Sequence, residues 1–154
     1  MNIYEYLKRD HAVVKKLFEK IYTFPQETSQ DLEERSFIFE ELVEEFFLHS
    51  DAEEKTFYNT LKKEGELKDK IQHAITEHEE VKNLIETINK LDVNDKIWLD
   101  KIKELEEEIQ HHVQEEEQEM FSQAKKVLTE EQEQNLAKEM DKLKEENKAM
   151  HFKE

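Results

Sequence analysis

Pro25 and Gly65 are the only residues of the two types that most disfavour a helix interior. On both sides of them, apolar side chains recur at the 3.6-residue helical period. The first such segment runs from about Asn2 to Tyr22, with Ile3, Leu7, Val14, Leu17 and Phe18 on one face. Pro25 breaks it. Thr28 and Ser29 then offer hydroxyls to otherwise unpaired amides, and a second run carries Leu32, Phe39, Leu42, Phe46, Phe57 and Leu61. Gly65 is expected to end this helix as a left-handed cap. A third segment, roughly Glu66 to Leu91, turns Ile71, Ile75, Val81, Leu84, Ile85 and Ile88 inward, and the turn Asp92-Val93-Asn94-Asp95 follows. The fourth carries Trp98, Ile102, Leu105, Ile109, Met120 and Phe121 to about Val127, and Thr129 with Gln132 forms a capping box for a fifth helix.

Four long amphipathic segments joined by short loops predict an all-α fold, an antiparallel up-down-up-down four-helix bundle over residues 2–127. A short fifth C-terminal helix, about 129–144, is expected to pack across one end, with a polar, fraying tail after 145. The 154 residues suggest a single domain, 1–154, with no internal repeat of 20 to 50 residues.

The net charge is −17, and no basic stripe is available to neutralise phosphates, which argues against a nucleic-acid partner. So acidic a chain could be disordered, but nine Phe, one Trp and regular aliphatic spacing argue for a core. With no Cys, disulfides, thiolate ligands and a cysteine nucleophile are all excluded, and His and carboxylate remain as the strong metal ligands. The N-terminus lacks both a basic segment and an apolar run, and nowhere do 18 apolar residues occur together. The expectation is a cytoplasmic, monomeric protein without a membrane partner.

His-x-x-x-Glu occurs four times, at His49/Glu53, His73/Glu77, His111/Glu115 and His112/Glu116, and about a quarter of the chain is acidic, so spacing alone proves little. Facing separates the pairs. On a helix, residues three, four and seven apart share a face. His11 lies four after Leu7, three before Val14 and seven before Phe18; His78 lies seven after Ile71 and three before Val81. His49 follows Leu42 by seven and Phe46 by three, and Glu53 precedes Phe57 by four. His112 follows Leu105 by seven and Ile109 by three, and Glu116 precedes Met120 by four. All six interrupt apolar stripes. By contrast, the same-face neighbours of His111 are Glu104, Glu107, Glu108, Glu115 and Gln118, His73 sits on a flank with Glu77, and His151 lies in the tail.

A single inward histidine is usually a hydrogen-bonded core residue. Six inward polar groups, two of them carboxylates with no Lys or Arg on the same stripes, need a different account. A buried unpaired carboxylate costs several kcal/mol, and a multivalent cation removes that cost. Imidazole and carboxylate without sulfur suit iron, manganese or zinc. Six ligands exceed a four-coordinate site and fit two metals, each with two His, sharing Glu53 and Glu116 as bridges.

The pattern His11, His49-Ser-Asp-Ala-Glu53-Glu54, Glu77-His78-Glu79 and His112-Val-Gln-Glu-Glu116-Glu117 resembles the hemerythrin-like (HHE) cation-binding family over nearly the whole chain. The resemblance implies a four-helix bundle with a non-heme centre of two Fe ions, oxo- or hydroxo-bridged, that binds O2 or senses oxygen, nitric oxide or iron. It assigns His11 and His49 to one iron, His78 and His112 to the other, and the bridges to Glu53 and Glu116. The chain departs from oxygen-carrying hemerythrins at Ala74, where those have a further His, and at Glu116, where they have an Asp one residue later. His73 could replace the missing ligand only if its helix were distorted by a π-type bulge. The expected function is a metal and diatomic-ligand binder rather than an enzyme. The alternatives are a di-iron redox enzyme, such as a peroxidase or nitric-oxide-consuming protein, and an iron-donating repair protein. Phe46, Phe57 and Phe121 are candidates for a dry shell around the ligands.

Overall fold

The structure is a computed structural model. It describes the backbone of residues 1–153 and the side chains of residues 1–148, in both cases apart from Gln26. It is all-helical among the described residues: α1 (Ile3–Thr23), α2 (Ser29–Glu53), α3 (Asn59–Lys62), α4 (Lys68–Asn89), α5 (Lys96–Glu115), α6 (Phe121–Val127) and α7 (Glu130–Lys153). Two π-helical turns, Glu54–Tyr58 and Glu116–Met120, carry α2 into α3 and α5 into α6 without a break.

Side chains satisfy the orphan amides at the helix starts. Asn2 and Glu5 form a reciprocal capping box at α1, Thr28 and Asp31 form one at α2, and the Asp95 carboxylate accepts from the Ile97 amide at α5. Thr129 and Gln132 cap α7 as expected, with the Gln132 amide donating to Thr129 Oγ1 at 3.2 Å. Gly65 departs from expectation. It opens a 3-10 turn, Gly65–Leu67, and no glycine has positive φ, so it is not a left-handed cap. A Cβ there would meet nothing within 4 Å. α2–α3 ends instead by tightening into the 3-10 turn, with the Glu64 amide donating to the Leu61 carbonyl.

The core falls into two clusters, one on either side of the polar centre. One gathers Val14, Phe18, Ile21, Leu42, Ile85, Trp98, Ile102 and Leu105, and the other Ile3, Leu7, Phe57, Leu61, Ile71, Phe121 and Met140. Each fully buried aliphatic side chain contributes roughly 1.5–3 kcal/mol, which holds the intervening polar residues in place. Contacts pair the elements end to end. Arg35 Nε donates to the Phe24 carbonyl while His49 meets Asp10, and Tyr22 meets Glu106 while His11 meets Glu117.

The last helix corrects the expectation of a short element across one end. α7 continues past 144 to Lys153 and crosses α1 and α2. Leu136, Ala137 and Met140 close the second core cluster. Further along, Tyr6 donates to Asp141, Lys144 donates to Asp10 and Glu45, and Asn147 donates to Asp51. Where a polar tail is expected after 145 the helix continues, and Lys144 and Asn147 on its polar face meet acidic partners on α1 and α2. The side chain of His151 lies outside the described residues.

Candidate metal centre

α1, α2, α4 and α5 each contribute one inward histidine between the two core clusters. His49 is 6% exposed, His78 1% and His112 6%, and His11 is nearly buried; Glu53 and Glu116 are buried at 0% and 1%. Donor atoms of His11, His49, Glu53 and Glu116 all lie within 4.8 Å of one another, and so do those of Glu53, His78 and His112. The six sequence-selected residues are therefore brought together.

The geometry divides them into two halves. Glu53 Oε1 lies 3.5 Å from His49 Nε2 and 3.3 Å from His78 Nε2, one oxygen between two imidazoles. Glu116 spans the halves with both oxygens, Oε1 at 3.3 Å from His11 Nε2 and Oε2 at 3.6 Å from His112 Nε2. Two ligands on one tetrahedral ion with bonds of about 2.0–2.2 Å stand roughly 3.4 Å apart, so these separations match donors sharing an ion. Neither oxygen of Glu53 has a hydrogen-bond partner, nor does Glu116 Oε1. Orphaned, buried carboxylate oxygens facing imidazole nitrogens are a donor set that fits a cation.

Sequence reading missed the residues that aim the imidazoles. His11 Nδ1 pairs with Glu117 at 2.7 Å, His49 Nδ1 with Asp10 at 2.8 Å, His78 Nδ1 with Glu54 at 2.8 Å and His112 Nδ1 with Glu77 at 2.9 Å. An ionised carboxylate only accepts, so each Nδ1–H donates and each Nε2 is left to face the centre. The pattern is a pseudo-two-fold one. The acid preceding His11 holds His49 and the acid preceding His78 holds His112, while the residues after Glu53 and Glu116 hold His78 and His11. The signal was present in Asp10-His11, Glu77-His78, Glu53-Glu54 and Glu116-Glu117.

Tyr58 was also missed. In a regular helix it would point about 140 degrees away from Glu53, five residues earlier. The π turn adds a residue to that revolution, and Tyr58 comes back to the centre, fully buried. Its hydroxyl donates to Glu116 Oε2 in a short hydrogen bond and lies 3.2 Å from His112 Nε2, and its ring stacks on His78 at 5.4 Å. Five residues after Glu116 the matching position is Phe121, so the two halves differ by a phenol. Phe46 packs edge-on against His78, and Phe57 and Phe121 pack against each other and Tyr4, all three buried.

Without a cation at the centre, His11, His49 and His78 hold protons. Burial opposes charge on His11, but the facing carboxylates of Glu116 and Glu117 outweigh it and push its pKa up to about 10. His49 and His78 are pushed up to about 9 against their burial, His49 chiefly by the Glu53 charge and His78 by the facing carboxylates of Glu53 and Glu54. Glu53 falls well below the usual carboxylate range because the nearby His49 charge overcomes its burial. Burial, then the charges of Glu116 and Glu53, drives the Tyr58 phenol well above its ordinary value.

The remaining histidines lie elsewhere. His73 and His111 have side chains 62% and 65% exposed. α4 is regular throughout, so His73 does not take the place left by Ala74. Ala74 instead lines a solvent-open pocket of about 310 Å³ that reaches His112 and Glu116.

Known proteins are similar to this chain in sequence and fold. The model of the hemerythrin HHE cation binding domain covers residues 2–124. A crystal structure of a hemerythrin HHE cation binding domain-containing protein from Mycobacterium kansasii superposes with a TM-score of 0.81 at 26% identity, over 95% of this chain and 86% of that one. A protein named DNA nickase from Nostoc sp. is 26% identical over 142 residues, which is 90% of this chain and 38% of that protein, so the chain spans well under half of that relative. With the match running through every helix that carries an inward histidine, the chain belongs to the hemerythrin HHE cation-binding domain family.

Proposed function

We propose that this chain is a non-heme di-iron domain that binds or senses O2 or another small diatomic molecule. In this reading His11 and His49 hold one iron, His78 and His112 the other, and Glu53 and Glu116 lie between them. The observation that carries it is the pair of buried carboxylates, with both oxygens of Glu53 and one of Glu116 lacking a hydrogen bond, facing four Nε2 atoms. In the metal-free protein protons on the facing imidazoles offset these carboxylates, and a metal cation can replace those protons, while Lys144 of α7 is engaged by Asp10 and Glu45. Sulfur-free donors admit iron, manganese or zinc, and family membership favours iron.

When bound, two irons supply one-electron steps to a small oxidant. The chain's own residues do the rest. Asp10, Glu54, Glu77 and Glu117 fix the tautomer and angle of each imidazole. Tyr58 donates its hydroxyl hydrogen to Glu116 Oε2, and Phe46, Phe57, Phe121 and the stacked Tyr58 ring exclude water. The pocket beside Ala74 admits a small ligand to the His78–His112 half.

The reading takes α1, α2–α3, α4 and α5–α6 as an up-down-up-down bundle, supported by the pairings Asp10–His49 with Phe24–Arg35 and His11–Glu117 with Tyr22–Glu106. It takes the chain as one monomeric cytoplasmic domain. No helix among the described residues is long and apolar enough to cross a membrane, and a charge of −17 opposes binding to nucleic-acid phosphates, which counts against carrying over the Nostoc protein's name.

A second reading, a redox enzyme acting on a small oxidant, is favoured by the phenol beside one half of the centre and the pocket that opens on it. Optical spectra of the reduced protein, after air and after oxygen removal, separate the two. A band that appears in air and reverses on degassing supports binding, and persistent oxidation with turnover of peroxide or nitric oxide supports the enzyme.

A further inference from the structure

The two His-x-x-x-Glu pairs that face outward, His73/Glu77 on α4 and His111/Glu115 on α5, lie side by side, with His73, Glu77 and Glu115 lining the pocket beside Ala74. His73 Nε2 stands 3.7 Å from Glu77 Oε2 and 3.6 Å from Glu115 Oε2. His111 Nε2 stands 3.8 Å from Glu77 Oε2 and 3.1 Å from Glu115 Oε1. Each imidazole thus faces both carboxylates. We propose that His73, Glu77, His111 and Glu115 form an outer cation site, separate from the buried pair, that takes one borderline divalent ion such as Zn2+ or Fe2+.

Three features carry this beyond an acidic surface. The donors are two imidazoles and two carboxylates from two helices, and the histidines select borderline transition ions over Mg2+ and Ca2+. Donor atoms of His73, Glu77 and Glu115 lie within 4.8 Å of one another, and His111 Nε2 approaches the same two carboxylates at 3.8 and 3.1 Å, meeting the other oxygen of Glu115, separations near the roughly 3.4 Å expected between ligands on one tetrahedral ion. The third feature is Glu77. Its Oε1 accepts from His112 Nδ1 at 2.9 Å, so one carboxylate orients an inner imidazole with one oxygen and turns the other toward the outer pair. Below them the same pocket ends on Glu116, which is 1% exposed. Lys70, the one cation lining the pocket, is paired with Glu119 at 3.4 Å.

The test is equilibrium dialysis of iron-loaded protein against Zn2+ with excess Mg2+, counting both metals. Wild type is expected to take one Zn2+ per chain without losing iron. The double variant His73→Ala/His111→Ala should bind that ion at least ~10-fold more weakly, and Glu115→Gln should weaken it too. Both histidines are exposed, so their truncation leaves the fold intact. His49→Ala should lower iron and spare the outer equivalent, which separates failure here from failure of the di-iron reading. The proposal is overturned if wild type takes no Zn2+ beyond what the double variant takes, or if Mg2+ displaces it.

Discussion

Asp10 and His49 share a buried hydrogen bond of 2.8 Å, and Lys144 of the last helix closes on the same carboxylate from the other side at 2.8 Å. The α7 ammonium, the α1 carboxylate and the α2 imidazole therefore form one line from the surface to the centre. Burial works against the Asp10 charge, yet His49 and Lys144 together hold its pKa below the ordinary value.

Asp10→Asn keeps the size of the side chain but replaces an obligate acceptor by a group that can present either a donor or an acceptor to His49. Loss of such outer partners typically costs 10–100-fold in metal affinity, so chelator competition should show a decrease of about that size. Glu117→Gln should act in the same way on His11.

Removing Lys144 attacks that line from the far end. Lys144→Met leaves Asp10 to His49 alone, and a partner lost from a nearly buried pair costs ~3 kcal/mol. Chemical denaturation of the metal-free protein should show a destabilisation of that order, while Lys142→Met, whose pair with Glu146 is exposed, should change little.

Tyr58→Phe deletes one hydroxyl and exposes no cavity. It leaves Glu116 Oε2 short of its buried donor, a loss worth about 1–3 kcal/mol. The expected result is a lower denaturation midpoint with retained helicity, together with altered optical bands if iron occupies the half beside His78 and His112. Phe121→Tyr tests the converse, placing a phenol at the matching position.

The pH dependence follows from the raised histidines. His11, His49 and His78 have folded-state values of about 10, 9 and 9, above the unfolded value of about 6.5. Their contribution to the stability of the metal-free protein is fully present below pH ~6.5 and is lost as pH rises through about 9 to 10. Cations compete with those protons, so apparent metal affinity should climb over the same window and binding at pH 7 should release protons. Calorimetry in buffers of different ionisation enthalpy reads that release directly.

Much of this was legible in the sequence for a physical reason. Apolar residues at i, i+3, i+4 and i+7 mark a buried stripe, so a histidine such as His78 on that stripe had to face inward whatever the details of packing. The same reasoning failed at Tyr58, because it assumes 3.6 residues per turn and the chain departs from that value just where Glu53 and Glu116 sit. It also undervalued Asp10, Glu54, Glu77 and Glu117. Facing rules treat a helix alone, whereas each of these acids serves a histidine on another helix. Gly65 was misread because glycine permits positive φ without requiring it.

Metal content of purified protein tests the central claim most directly, measured together for wild type, His49→Ala and Glu116→Ala. The account predicts close to two irons per wild-type chain and a marked loss in both variants. Thermal stabilisation by iron should vanish in parallel, since a ligand at 1,000 times its Kd adds about 4 kcal/mol to the folded state. Full iron content and unchanged stability in both variants, or a wild-type protein that takes no metal under iron-replete conditions, would contradict it.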